Sequence, residues 1–292
     1  MQIAIMGGTG QLGRATIAKL IPLHGAENII AVTRSPSRAA DLKAQGVQVR
    51  AGDYSDQASL KAAYQGVDTV HLIPTKSMPR ERVQEVQNAI DAAKEAGVRR
   101  LVHVGIVGTD VRNGFVIMPY LLYAESAIVT SGMAWTLLRN AYYAEPVADW
   151  LPEILRMGTI PYPFGAGSHA WATRDDMARA AAAVLASTEH EGEVLNLTGP
   201  AAHSVAELCQ IVTRVTGKQI THREATMDDY IQACLVDGES EAFARLLGTL
   251  YLPVQAGLTS FASADIETLT GRAPESIEHF LTRSWKATQG DH

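Results

Sequence analysis

The fold is decided by Gln2-Ile3-Ala4-Ile5-Met6-Gly7-Gly8-Thr9-Gly10-Gln11-Leu12-Gly13. A short apolar run ends in glycines, and helical periodicity follows from Gln11 to Ile21. The turn fits GxxGxxG on Gly7, Gly10 and Gly13, and GxGxxG on Gly8, Gly10 and Gly13. Glycines there permit positive φ and bring the backbone close to a pyrophosphate. The helix N-terminus adds unpaired N–H groups and partial positive charge. Gly13, without a Cβ, lets the helix lie close on the strand. This reading makes Gly7, Gly8, Thr9, Gly10, Gln11 and Leu12 cofactor-binding candidates.

Outward from this turn the chain alternates. Extended runs at Asn28–Thr33, Val47–Arg50, Val67–Ile73, Arg100–Val104 and Trp135–Arg139 are separated by helical patterns at Ser37–Gln45, Ser59–Tyr64, Pro79–Ala96 and Met118–Ser131. The strands are apolar nearly throughout, as strands covered on both faces should be. The prediction is an α/β doubly wound parallel sheet with a smaller C-terminal α/β lobe. The dinucleotide-binding part is placed at 1–140 and a substrate lobe at 141–292, with some segments packing back. Asn140–Gly167 holds four prolines and reads as irregular. Asp175–Leu185 and Val205–Val215 read as helices, Val194–Leu197 as a strand, and Met227–Trp285 as two or three more helices.

The 292 residues carry 25 Lys and Arg against 31 Asp and Glu. That balance argues against a basic nucleic-acid stripe and against docking on anionic membranes. No apolar run approaches the roughly 18 residues of a membrane span. The chain opens directly on a strand, so it is expected to be cytoplasmic. Cys209 and Cys234, the only cysteines, are read as buried free thiols in helices, and no metal-ligand spacing occurs. An apolar face on Met118–Ser131 fits packing on the sheet as well as a seam between copies, so it fixes no oligomeric state.

The end of the second strand chooses the cofactor. An NAD-selective fold places an acid there for the ribose 2′-hydroxyl. Here Thr33-Arg34-Ser35-Pro36-Ser37-Arg38 has two arginines and no acid. Guanidinium suits a 2′-phosphate, so NADP(H) is expected in preference to NAD(H), with Arg34 the main contact and Arg38 beside it. Asp53, after the third strand, suits an adenine contact or a turn or capping role. Ile73-Pro74-Thr75 ends the fourth strand, where ligands lie in such sheets. Asp175 and Asp176 follow Thr173 as a capped helix start would.

Gly7–Gly13, Val32-Thr33-Arg34, Gly52-Asp53-Tyr54 and Leu137-Leu138-Arg139-Asn140 resemble the NmrA-like branch of the atypical short-chain dehydrogenase/reductases. The likeness is nearest to type 2 NAD(P)H:quinone oxidoreductases and triphenylmethane reductases. It continues through Thr173-Arg174-Asp175-Asp176, Glu191–Gly199 and Leu208–Lys218, and weakens after Met227. The resemblance implies an extended Rossmann domain and NADPH binding by the glycine turn, Arg34, Ile73–Thr75 and the segment Asn140 to Tyr142.

Ordinary members of the wider superfamily use a serine on the fifth strand and a Tyr-xxx-Lys pair on the next helix. The serine's place falls on Gly105, and the pair's places fall on Pro119 and Tyr123. A quinone or cationic dye is already a strong hydride acceptor, and the anion left by quinone reduction can be protonated by water. Such chemistry needs mainly orientation of the acceptor ring. Candidates for the acceptor site are Ile106, Met118, Tyr120, Tyr123, Asn140, Tyr142, Tyr143, Trp150, Tyr162, His169 and Trp171. His169 is a candidate proton donor to product, with a solvated place in a Gly/Ser loop as the other reading. The expected function is an NADPH-dependent reductase of a quinone or similar small aromatic acceptor. The missing residues leave a second reading, a non-catalytic NADP(H)-sensing regulator, and count against an epimerase or carbonyl reductase.

Overall fold

The computed structural model describes residues 1–290. The strands are β1 Ile3–Met6, β2 Ile29–Thr33, β3 Gln48–Ala51, β4 Thr69–Leu72, β5 Arg100–Ile106, β6 Ala134–Asn140 and β7 Glu193–Leu197. They form one sheet in the order β3-β2-β1-β4-β5-β6-β7. Every pairing is parallel. The order reverses between β1 and β4, which opens a crevice at the carboxyl ends of the strands.

Period-two alternation distributes the β1 side chains. Ile3 and Ile5 enter the core on one face, Ala4 and Met6 the core on the other. Helix α1, Gln11–His24, covers the first face with Ile17 and Leu20 fully buried. Each such side chain contributes about 1.5–3 kcal/mol by leaving water. Helix α2 is the short Ala40–Ala44. Helices α3 Gln57–Ala63, α4 Pro79–Glu95 and α5 Met118–Val129 cover the other face, through Leu60, Ile90 and Ile128 among others.

Two departures from the sequence reading follow. Asn140–Gly167 is not irregular: it holds α6, Glu145–Asp149, and α7, Leu151–Met157. Pro146 and Pro152 sit in the first turns of these helices, where a missing N–H costs nothing. The segment after Met227 holds five helices, not two or three. They are, following α8 Arg174–Ala186 and α9 Val205–Thr216, α10 Met227–Val236, α11 Glu241–Gly248, α12 Leu252–Gln255, α13 Asp265–Thr270 and α14 Ile277–Gly290.

The chain returns to the sheet after residue 141. Helix α8 packs on α1, and β7 extends the sheet beyond β6. Thr173 caps α8, its Oγ1 accepting from Asp176 N at 3.1 Å. The Asp176 carboxylate pairs with Arg179 and accepts from Glu275 N at 2.7 Å. Asp176 therefore clamps the C-terminal segment onto α8. Asp175 pairs with Lys19 of α1. A third apolar core gathers Tyr142, Tyr162, Phe164, Trp171, Tyr230 and Tyr251 with aliphatic residues of α7, α9 and α14. Cys209 and Cys234 lie in this core as buried free thiols. No helix among the described residues is long and apolar enough to cross a membrane.

Candidate functional site

Two adjoining cavities open at the carboxyl ends of the strands. The first, about 590 Å³, is bordered by the glycine turn, the end of β2, Gly52–Tyr54 and Ile73–Lys76. The second, about 420 Å³, lies between the sheet and the aromatic core. Ile73, Pro74, Thr75, Lys76 and Tyr143 border both, so the two adjoin at these residues.

The first cavity is made largely of backbone. Gly7 has φ +67°, and a Cβ on Gly13 would lie 2.3 Å from the Gly7 carbonyl oxygen. Only glycine lets α1 approach the turn this closely. Gly10 caps α1 without a side-chain hydrogen bond, so the helix's first N–H groups face the cavity uncapped. A dinucleotide pyrophosphate fits this cradle by charge and by space. Gly7, Thr9, Gly10, Gln11, Leu12, Arg34, Arg38, Asp53 and Ile73–Thr75 all border it. Gly8 does not: it packs against β2, where a Cβ would meet that of Ala31 at 2.9 Å.

The Arg34 and Arg38 side chains are exposed and donate to no protein group among the described residues. Arg14, by contrast, is fully engaged. It donates to the Thr9 and Arg38 carbonyls at 3.1 and 2.6 Å and pairs with Asp41. That brace consumes the one acid of α2 and leaves both outer arginines free. Thr33 Oγ1 meets Thr9 Oγ1 at 3.0 Å and accepts from Ser35 N. Asp53 accepts from Ser55 N and Oγ, each at 2.9 Å, in a turn of its own making. The strand-end segment is held by Glu85, which accepts from Thr75 and from Ser77 at 2.7 Å. Tyr54 anchors it from below, donating to the Ile73 carbonyl at 2.9 Å.

The second cavity is made of side chains. Ile106, Phe115, Ile117, Tyr120, Leu121, Tyr142, Tyr143, Tyr162, Trp171 and Tyr251 line it, with Gly105 and Asn140 among them. Asn140 and Tyr142, candidates for both cofactor and acceptor, line this chamber and not the glycine-turn groove. Tyr142 is fixed from both sides, donating from its hydroxyl to the Leu250 carbonyl at 2.6 Å and stacking on His169 at 4.1 Å. The Asn140 Oδ1 is buried and has no partner in the protein. Arg174 stacks on the Tyr143 ring at 4.5 Å and pairs with Glu145.

Four acceptor candidates fall elsewhere. Met118 is buried in the core beneath α5. Tyr123 points to the outer surface, where its hydroxyl donates to Gln87. Trp150 stacks on Tyr162 behind the wall and donates to Asp237. His169 is fully buried, not in a solvated loop. Its Nε2 accepts from Tyr142 N at 2.9 Å, and an antiparallel bridge ties it to His203. Burial pushes its pKa down to about 3, so near neutral pH it is a neutral imidazole and not an imidazolium acid. His71 and His103 are packed within β4 and β5 and pushed down by burial to about 4 and 3. Among the described residues no His, Cys, Asp or Glu cluster could hold a metal.

Glu125 forms two hydrogen bonds with Arg139, at 2.9 and 2.6 Å. A Cβ on Gly105 would lie 3.3 Å from the Glu125 carboxylate. The strand position of the usual serine is thus backed by an ion pair, and Tyr123 is outside the cavity. Sequence reasoning missed Tyr54, Glu85, Arg14, Phe115, Ile117, Tyr251 and Arg174. Only Tyr54, next to Asp53, carried a local signal.

The NAD(P)H-binding family pattern matches residues 7–188. Quinone oxidoreductase 2 of Escherichia coli is 34% identical over 96% of this chain and 98% of its own. The crystal structure of an NADPH-dependent quinone oxidoreductase from Escherichia coli, complexed with NADPH, superposes with a TM-score of 0.92 at 32% identity, over 97% of this chain and 100% of that one. A Citrobacter sp. triphenylmethane reductase complexed with NADP(H) gives 0.91 at 30% identity, over the same shares. With the glycine cradle, the parallel sheet and the missing Tyr-xxx-Lys pair, these matches make the chain an NAD(P)H-dependent oxidoreductase that belongs to the NAD(P)H-binding family, in its NmrA-like atypical short-chain branch.

Proposed function

We propose that the protein is a reductase that uses NADPH in preference to NADH and delivers hydride to a quinone or similar small planar aromatic acceptor. The observation that carries this reading is the junction of the two cavities. A groove suited to a dinucleotide adjoins, at Ile73–Lys76 and Tyr143, a chamber walled by aromatic rings. Flat apolar acceptors suit such walls, which orient a ring by stacking. The relatives' names, quinone oxidoreductase and triphenylmethane reductase, support the same class of acceptor.

When bound, a reduced nicotinamide supplies the hydride. The chain's part is to hold and to orient. The α1 N-terminus binds the pyrophosphate, and Ile73–Thr75, fixed by Tyr54 and Glu85, borders the ring's place at the junction. Arg34 and Arg38 bind the 2′-phosphate, having no competing protein partner among the described residues. The tyrosines of the chamber serve as walls. Burial raises the pKa of Tyr120 well above its ordinary value, so it stays a neutral phenol.

The test is a paired titration with NADPH and NADH, followed by a quinone in the same cuvette. NADPH should bind at least about tenfold tighter, a gap of about 1.4 kcal/mol, and quinone should then drain its absorbance. Replacing both Arg34 and Arg38 by Ala should weaken NADPH by about ten- to a hundredfold, the worth of one charge-assisted contact, and leave NADH unchanged. Tight NADPH binding with no turnover on any acceptor would replace the reductase with a sensor.

A further inference from the structure

The aromatic chamber has a sign. Its wall includes two cations, Lys76 and Arg82, and no aspartate or glutamate. Of the acids beside it, Glu125 is paired with Arg139, while Glu85 accepts from Thr75 and Ser77 and acts on Arg82 only through its charge, without a salt bridge. Lys76 is exposed at the junction, whereas Arg82 is half-buried in the wall.

Arg82 is also held. It lies at the start of α4, and its Nε donates to the Ser77 carbonyl at 2.6 Å. Its guanidinium carbon stands 5.8 Å from the centre of the Tyr120 ring, which itself lines the chamber. Among the described residues neither terminal nitrogen has a hydrogen-bond partner, and the guanidinium makes no salt bridge. A guanidinium stays charged in such a place. The chamber therefore offers a fixed cation with unused donors, at a wall where the acceptor would lie.

We propose that Arg82 binds the oxyanion that develops on the acceptor, and that it thereby selects neutral carbonyl acceptors of the quinone type over cationic dyes. This rests on the reductase reading. A quinone that takes a hydride gains two electrons and one proton, and the dinucleotide is oxidised by the same two electrons. The carbonyl electron pair displaced in the process stays on one oxygen as negative charge. Water in the open cavity then protonates that oxygen. A cation placed before the charge appears stabilises the transition state more than the neutral quinone, which accelerates the step. In a cationic triarylmethane dye the hydride neutralises a carbocation instead. The same guanidinium repels that dye on entry and meets no developing anion, which is discrimination by repulsion as well as by attraction.

The experiment compares wild type with Arg82→Gln and Arg82→Lys, with NADPH affinity measured by fluorescence as a check on folding. The acceptors are menadione, which is neutral, and malachite green, which is cationic. Arg82→Gln should lower kcat/KM for menadione by about tenfold or more, and Arg82→Lys should restore most of it. Malachite green reduction should be unchanged or faster in Arg82→Gln. A binding arm needs no turnover: lawsone, an anion at neutral pH, is titrated into the NADP⁺ complex against its neutral methyl ether. Wild type should favour lawsone, and Arg82→Gln should lose that preference. Equal losses on both acceptors, or a lawsone preference that is absent or survives in Arg82→Gln, would overturn the proposal. If wild type binds NADPH and oxidises it with no acceptor, the reductase reading fails, while the lawsone titration still decides whether Arg82 marks an anion site.

Discussion

The two cavities are built by opposite means. The dinucleotide groove is backbone: a positive-φ glycine, a helix start with no cap, and a turn into which a Cβ would not fit. The aromatic chamber is side chain: rings from α5, the β6 end and the C-terminal core, meeting across more than a hundred residues of sequence, as Tyr142 meets Leu250. Backbone tolerates no substitution that adds bulk. Walls of rings tolerate exchange, because each ring contributes area rather than a unique atom. The groove should therefore fail abruptly under mutation and the chamber gradually.

The largest effect should come from Gly13→Val. Its Cβ would meet the Gly7 carbonyl at 2.3 Å, a backbone atom that cannot move without losing the turn. Overpacking of this kind costs about 1–3 kcal/mol in stability, and displacing the cradle should weaken NADPH by about a hundredfold or more. Fluorescence titration measures the second effect and a thermal melt the first. A Gly13→Val protein that binds NADPH normally would break the comparison at its stronger end.

Next comes acid. His71, His103 and His169 are held neutral in the folded chain, with pKa values pushed down to about 4, 3 and 3 by burial. Unfolded, each regains a pKa of about 6.5 and takes up a proton below it. The unfolded state thus binds more protons between pH 6.5 and 4, so stability present above that window is lost as pH falls through it. Each histidine should remove on the order of 1–2 kcal/mol between pH 7 and pH 5. All three lie in the sheet or behind the chamber and none in the groove. The melting temperature should drop over this range, with the quinone rate showing no inflection from a protonating His169. A rate that follows one ionisation near pH 6.5 would return His169 to the chemistry.

The smallest effect should be Tyr120→Phe. The phenol is neutral and serves as wall, so menadione turnover should stay within about twofold by the modest worth of one hydroxyl. A loss of a hundredfold would make Tyr120 the missing acid and sharpen the chamber into a catalytic one.

This division also explains what could be read from sequence. The groove is contiguous. Gly7 to Leu12, Arg34 and Ile73–Thr75 each lie at the end of a strand whose apolar run marks it, and all of these except Gly8 border the cavity. The chamber has no such grammar. Helix α5 is apolar on most sides, so its periodicity did not say that Tyr120 turns inward while Met118 enters the core and Tyr123 faces out. His169 stood among Gly and Ser and read as solvated, because its bridge to His203 and its stacking on Tyr142 are long-range. Arg82 carries no sequence signal that separates it from Arg80 two residues before it. The prolines of α6 and α7 read as breakers although they open the helices that back the chamber.

The shared wall at Ile73–Lys76 and Tyr143 has a consequence for inhibition. A party wall gives neither room independent dimensions. A fused-ring compound that outgrows the 420 Å³ chamber past this wall reaches toward the glycine-turn groove. Small aromatics should then compete with the acceptor alone, while large ones compete with the dinucleotide as well. The size at which the inhibition pattern changes would measure, in solution, where one room ends and the other begins.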